Sequence, residues 1–144
     1  MHPGTDPPLL KFEQSSRRYL VYTSAGDNAF LKLWTEGTRD FDLWITYYGK
    51  DSGRWSSLAD HYNERPGAKF SNLHYVYTAW GRLIQRYEAI LVLDDDVFLT
   101  AQQINELFAL REQFGYAVVQ PAFSSLGRIS HEITRRDRNC SHRE

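Results

Sequence analysis

The chain has 144 residues, a formal net charge of -1, one cysteine, and aromatic and charged fractions of 15% and 24%. That length suits one compact domain, and the near-neutral charge gives no general pull toward nucleic acid or anionic lipid. A lone Cys140 excludes an internal disulfide or a cysteine-based zinc cluster. No apolar run approaches the roughly 20 residues that span a bilayer, and the first residues lack the basic-then-apolar order of a signal peptide. A cytoplasmic protein with no membrane span and no nucleic-acid partner is expected.

In chain order, Met1 to about Ser16 is Pro-rich and polar, an irregular lead-in. Tyr19-Leu20-Val21-Tyr22 begins a first strand over Arg18 to Ser24, closed by Ala25-Gly26-Asp27-Asn28, where Gly26 permits a tight turn and Asp27 is placed to cap the next helix. That helix carries Phe30, Leu33 and Trp34 on one face and stops near Gly37. A second strand spans Phe41 to Tyr48 and ends in Gly49-Lys50-Asp51; Ser52 to Gly67 then reads as a long polar loop, a length that is often functional. Ser71 is placed to cap a long helix to about Tyr87, with Leu73, Val76, Tyr77, Trp80, Leu83, Ile84 and Tyr87 at helical spacing. Ala89 to Leu93 is uniformly apolar, the pattern of a strand covered on both faces. Thr100 and Gln103 form a capping-box pattern before Ile104, Leu107 and Phe108. Gly115 closes that helix, and a fourth strand, Tyr116 to Gln120, leads into Pro121.

Strands alternating with helices imply an α/β fold with a mostly parallel sheet between helical layers. Such sheets bind ligands beyond the carboxyl ends of their strands, which is where Gly26-Asp27-Asn28, Asp51 and Asp94-Asp95-Asp96 fall. Three adjacent carboxylates repel one another unless a cation sits among them. In an extended backbone Asp94 and Asp96 point to one side and Asp95 to the other. Asp94 and Asp96 are therefore the candidate ligands of Mg²⁺ or Mn²⁺, which prefers hard oxygens and completes its shell with phosphate and water. Asp95 would bond a ribose hydroxyl or a backbone donor. The bland alternative is that the acids merely end the strand and turn the chain. Arg128, Arg135, Arg136, Arg138 and Arg143 make a basic run toward the end of the chain, either a solvated face or a phosphate contact.

Ile90-Leu91-Val92-Leu93-Asp94-Asp95-Asp96 resembles the apolar strand plus Asp-x-Asp signature of GT-A glycosyltransferases. From Arg18 to Arg136 the chain resembles a plant and bacterial domain-of-unknown-function family grouped with nucleotide-diphospho-sugar transferases. The segments that carry the resemblance are Gly26-Asp27-Asn28, the triplet (commonly Asp-Glu-Asp in the family), Gln120-Pro121-Ala122, and Ser130-His131-Glu132-Ile133-Thr134-Arg135. The resemblance implies a Rossmann-like GT-A three-layer sandwich over residues 18–136, after a lead-in over 1–17 and before a polar tail over 137–144. It implies a nucleotide-diphospho-sugar donor, a divalent metal, and glycosyl transfer to the hydroxyl of a glycan, lipid or small-molecule acceptor. Asp27 and Asp51 would lie near the nucleotide and Lys69 near base or phosphate; His131 and Asp137 are the candidates for a catalytic role. Because only 48 residues follow Asp96 and the last of them are polar and Arg-rich, the chain is expected to be the donor-binding portion of a GT-A fold, incomplete at its C-terminus. Two rivals remain at this stage: a non-catalytic nucleotide- or sugar-binding module, and a phosphohydrolase of the haloacid-dehalogenase type. The latter places Asp-x-Asp on its first strand and needs a later lysine, whereas here the last lysine is Lys69.

Overall fold

The first two strands of the sheet core are buried along their whole length, which requires cover on both faces. In the computed structural model, which describes residues 9–128 and 132–139, these are β2 (Tyr19–Ala25) and β3 (Phe41–Tyr47). With β1 (Lys11–Phe12), β4 (His61–Glu64) and β5 (Ala89–Asp94) they form a five-stranded mixed sheet of order β1-β4-β3-β2-β5. β2 pairs in parallel with both β3 and β5, and β3 pairs in parallel with β4; β1 runs antiparallel to β4.

Alternation along the strands divides the core. Val21, Leu43 and Ile45 pack with Leu31 and Trp34 of α1 (Leu31–Thr35) and with Ile104 and Phe108 of α3 (Ala101–Phe114). Leu20, Tyr22 and Trp44 face the other way, onto Val76 and Ile84 of α2 (Lys69–Ile84). Successive strand residues point to opposite faces, so helices cover both faces of an α/β sheet.

The expected elements shift where local propensity meets tertiary packing. Lys11 and Phe12 leave the irregular lead-in to pair with β4, and β4 itself lies inside the expected loop, because His61, Tyr62 and Asn63 are buried beside β3. α1 has only five residues; it starts after Phe30, which is exposed, and has no side-chain cap, so Asp27 does not cap it. α2 starts at Lys69 without a side-chain cap, two residues before Ser71, and ends before Tyr87, with a non-helical Trp80 inside it. β5 is an edge strand: Leu93 is buried but Ile90 is exposed, so its apolar run is not covered on both faces. The Thr100–Gln103 capping box forms in both directions (Gln103 N–H to Thr100 Oγ1, 3.2 Å; Thr100 N–H to Gln103 Oε1, 2.9 Å). Gly115, at φ 66°, closes α3.

The chain divides into two compact units, Met1–Phe108 and Ala109–Glu144, with the boundary inside α3. In the second unit Tyr116 to Gln120 forms no strand, and Val118 is exposed. Beyond the end of α3, the regular structure among this unit's described residues is a 3-10 turn, Glu132–Thr134, and a bridge between Phe123 and Arg135.

At the amino edge of the sheet, buried charges are paired. Asp42 accepts from Arg17 (2.8 Å) and from the Tyr87 hydroxyl (2.7 Å). Asp60 accepts from Arg17 (3.2 Å), Arg39 (3.0 Å) and the Leu43 N–H (2.8 Å). Since the single Tyr87 proton goes to Asp42, His61 Nε2, 2.7 Å from the same oxygen, is the donor in that contact. Burial holds the His61 imidazole below its ordinary value of 6.5, against the pull of Asp42 and Asp60. The unfolded chain takes up a proton there more readily than the folded one. The contribution of neutral His61 is therefore present above pH 6.5 and is lost as the pH falls through and below it. His61→Gln keeps a donor for Tyr87 without a titrating ring, and urea denaturation is expected to show a shallower loss of stability on acidification. Equal pH slopes for the two proteins would remove His61 from the acid response.

Candidate functional site

β3 and β5 lie on opposite sides of β2, so the chain reverses its lateral direction around that strand. The carboxyl ends of β2 and β5 therefore mark the topological switch point, the place where open α/β sheets bind ligands. β2 runs out there into Gly26 and Asp27, and β5 into the acidic triplet.

The three carboxylates have different surroundings. β5 ends at Asp94, and Asp95 and Asp96 sit in a turn in which Val97 N–H bonds the Asp94 carbonyl (3.3 Å), so the extended backbone stops one residue into the triplet. Asp95 nevertheless turns inward: its Oδ2 accepts the Gly26 N–H at 2.8 Å, and its carbonyl accepts the Phe30 N–H at 2.8 Å. The carbonyl of Gly26 accepts Trp55 Nε1–H at 2.8 Å, so this one glycine is held at both polar ends. Burial pushes the Asp95 carboxyl above its ordinary value, with the Gly26 bond pulling the other way. Asp94 is exposed and takes the Lys69 ammonium at 2.5 Å. Asp96 is exposed and its carboxylate makes no hydrogen bond or ion pair among the described residues.

Asp27 and Asp51 meet through Tyr47. The Tyr47 hydroxyl donates to Asp27 Oδ1 in a short bond and accepts the Asp51 N–H at 3.0 Å, while the Asp51 carboxylate pairs with Arg54 at 2.9 Å. Gly49 packs so closely on the Tyr47–Asp27 contact that a Cβ there would overlap both partners. Lys69 opens α2, lies over the Phe70 ring at 4.9 Å, and belongs to the same carboxyl edge through Asp94. An ion pair whose acid is this exposed is worth about 0–1 kcal/mol, so the Lys69 contact is easily exchanged.

Several residues of this edge carry no motif. Tyr48 is an exposed ring beside Gly26; its hydroxyl is pushed up by burial first and then by Asp95, Asp96, Asp27 and Asp94. Asn72 is fully buried; it donates to Ser24 Oγ (2.9 Å) and to the carbonyls of Gly67 (3.2 Å) and Arg65 (3.3 Å), and accepts from Arg65 Nη1. It stitches α2 and its entry loop to the end of β2. The signals for these residues were a polar side chain four positions before Val76 on a buried helical face and a lone tryptophan, Trp55, in a polar stretch.

Of the remaining candidates, His131 lies outside the described residues. Asp137 belongs to the second unit, where its carboxylate accepts the Asn139 N–H at 2.9 Å. Among the described residues no three His, Cys, Asp or Glu side chains converge as a metal-binding group, and no helix is long and apolar enough to cross a membrane. No family model, curated protein or solved structure matches this chain.

Two substitutions test the geometry of the edge. Asp95→Ala strands the Gly26 N–H and is expected to lower stability by about 1–3 kcal/mol, whereas Asp95→Asn keeps an acceptor and loses less; equal losses in urea would show that the bond carries no weight. Gly49→Ala is expected to cost about 1–3 kcal/mol by forcing Tyr47 from Asp27, and an unchanged denaturation midpoint would refute that.

Proposed function

We propose that this chain binds a nucleotide-diphospho-sugar through a divalent cation and passes the glycosyl group to an acceptor hydroxyl, on a Rossmann-like GT-A scaffold in the cytoplasm. The observation that carries the reading is the split of the acidic triplet at the switch point. Asp95 is spent on Gly26, while Asp94 and Asp96 stay exposed at the carboxyl end of β5.

The donor set fits Mn²⁺ or Mg²⁺. Asp94 and Asp96 offer hard carboxylate oxygens, and a cation, the Lys69 ammonium, already rests on Asp94. Two carboxylates leave most of the coordination shell to diphosphate oxygens and water, the usual arrangement for these ions. When bound, the metal would offset charge building on the departing diphosphate. α2 adds to this edge a helix N-terminus with no acidic residue in its first turn and no side-chain cap, an end that favours phosphate. The exposed Tyr48 ring beside Gly26 offers an apolar face to base or sugar. In the transfer, the bond from the anomeric carbon to phosphate oxygen breaks, the acceptor oxygen bonds that carbon as its hydroxyl proton passes to solvent, and the nucleoside diphosphate departs.

Asp96→Asn is expected to leave the unliganded melting temperature unchanged and to abolish thermal stabilisation by uridine or guanosine diphospho-sugars with Mn²⁺. Stabilisation in that variant equal to the parent's would sink the assignment. Nucleotide binding without sugar release or transfer to any acceptor would reduce the chain to a binding module, and phosphate released from a simple monoester would favour the hydrolase.

A further inference from the structure

The Lys69 ammonium sits on one of the two carboxylate oxygens that Asp94 would offer a metal. Its nitrogen lies 2.5 Å from Asp94 Oδ1, with the side chain largely buried and the ring of Phe70 beneath it. Lys69 is itself the first residue of α2, whose opening backbone donors have no side-chain cap. Asp95, Asp96, Asp27 and Asp94 all lie close enough to push up the nearby Tyr48 hydroxyl, so this edge of the sheet is acidic. A divalent ion arriving alone would meet the ammonium on one of its two carboxylates, and two adjacent cations repel. A diphosphate arriving with the metal removes that conflict, because it offers the ammonium a new anionic partner beside the helix terminus.

We infer that Lys69 is a partner-switching residue that holds Asp94 in the unliganded protein and moves to the donor's diphosphate as the metal takes Asp94, so that metal and nucleotide bind as a pair. The inference rests on the metal–nucleotide reading of the site given above. It assigns Lys69 the role of making the two ligands depend on each other, which goes beyond general attraction to phosphate. An ion pair with so exposed an acid is weak enough to be exchanged, and the coupling it creates is reciprocal: whatever factor the nucleotide adds to metal affinity, the metal adds to nucleotide affinity.

The test is calorimetric titration of Mn²⁺ into the full chain, without and with saturating uridine or guanosine diphosphate, corrected for the Mn²⁺–nucleotide complex measured without protein. In the parent protein the nucleotide is expected to raise Mn²⁺ affinity by about tenfold or more. In Lys69→Met, Mn²⁺ alone is expected to bind more tightly than in the parent, and the gain from nucleotide to fall to about threefold or less. Lys69→Arg keeps a cation for Asp94 and is expected to retain the gain. Lys69→Gln repeats the neutral comparison with a polar side chain, and circular dichroism checks that each variant is folded. A parent gain that persists unchanged in both neutral variants overturns the role of Lys69 and leaves the metal–nucleotide site standing. Failure of the parent to bind Mn²⁺ with either nucleotide overturns the site itself, and this inference with it.

Discussion

The carboxyl edge depends on the bond between Asp95 and the Gly26 amide, because it ties the ends of β2 and β5 together. A backbone N–H at the end of a buried strand must find an acceptor or lose the full cost of its desolvation, and here a side chain from the neighbouring strand supplies it. Once Asp95 is committed inward, the Phe30 N–H bond to its carbonyl and the Trp34 indole bond to Val97 (2.9 Å) hold the chain after β2 against the chain after β5. The exposure of Asp94 and Asp96 follows from the same turn.

The two edges of the sheet treat charge in opposite ways. At the amino edge Asp42 and Asp60 are almost inaccessible, and each is matched by arginine and by further donors, the only arrangement in which a buried carboxylate is tolerable. At the carboxyl edge the acids outnumber their cationic partners, and Asp94 and Asp96 remain in water, where repulsion is screened. Breaking a pair at the first edge disturbs the fold; exchanging a pair at the second disturbs little else.

Much of this was legible in the sequence, and the parts that were not have physical reasons. β2, β3 and the α3 capping box were visible because apolar runs and the Thr100–Gln103 pair are local signals. β4 was hidden because His61, Tyr62 and Asn63 become a strand only through β3, and a polar tetrad shows no period. The apolar run of β5 pointed to an inner strand, but its sequence does not reveal which neighbours it finds. At the site, the triplet identified the edge and set Asp95 apart from Asp94 and Asp96, yet whether it meets a ribose hydroxyl or a backbone donor was not readable. That choice is made by Gly26, which lies far away along the chain and adjacent only in the folded sheet. Asp27 read as a helix cap because caps are local, whereas its actual partner, Tyr47, comes from another strand.

The pairing of β2 with β5 joins Tyr19 to Ala89 and Ser24 to Asp94. Closing so long an intervening chain carries an entropic cost that must be met before either strand gains from the other. The carboxyl edge therefore has no precursor in any short fragment: it comes into being in the same late step that completes the sheet. During synthesis, the carboxyl edge is assembled only after β5 has emerged, and a chain stopped before Ala89 exposes the flank of β2 as an unpaired template for other strands.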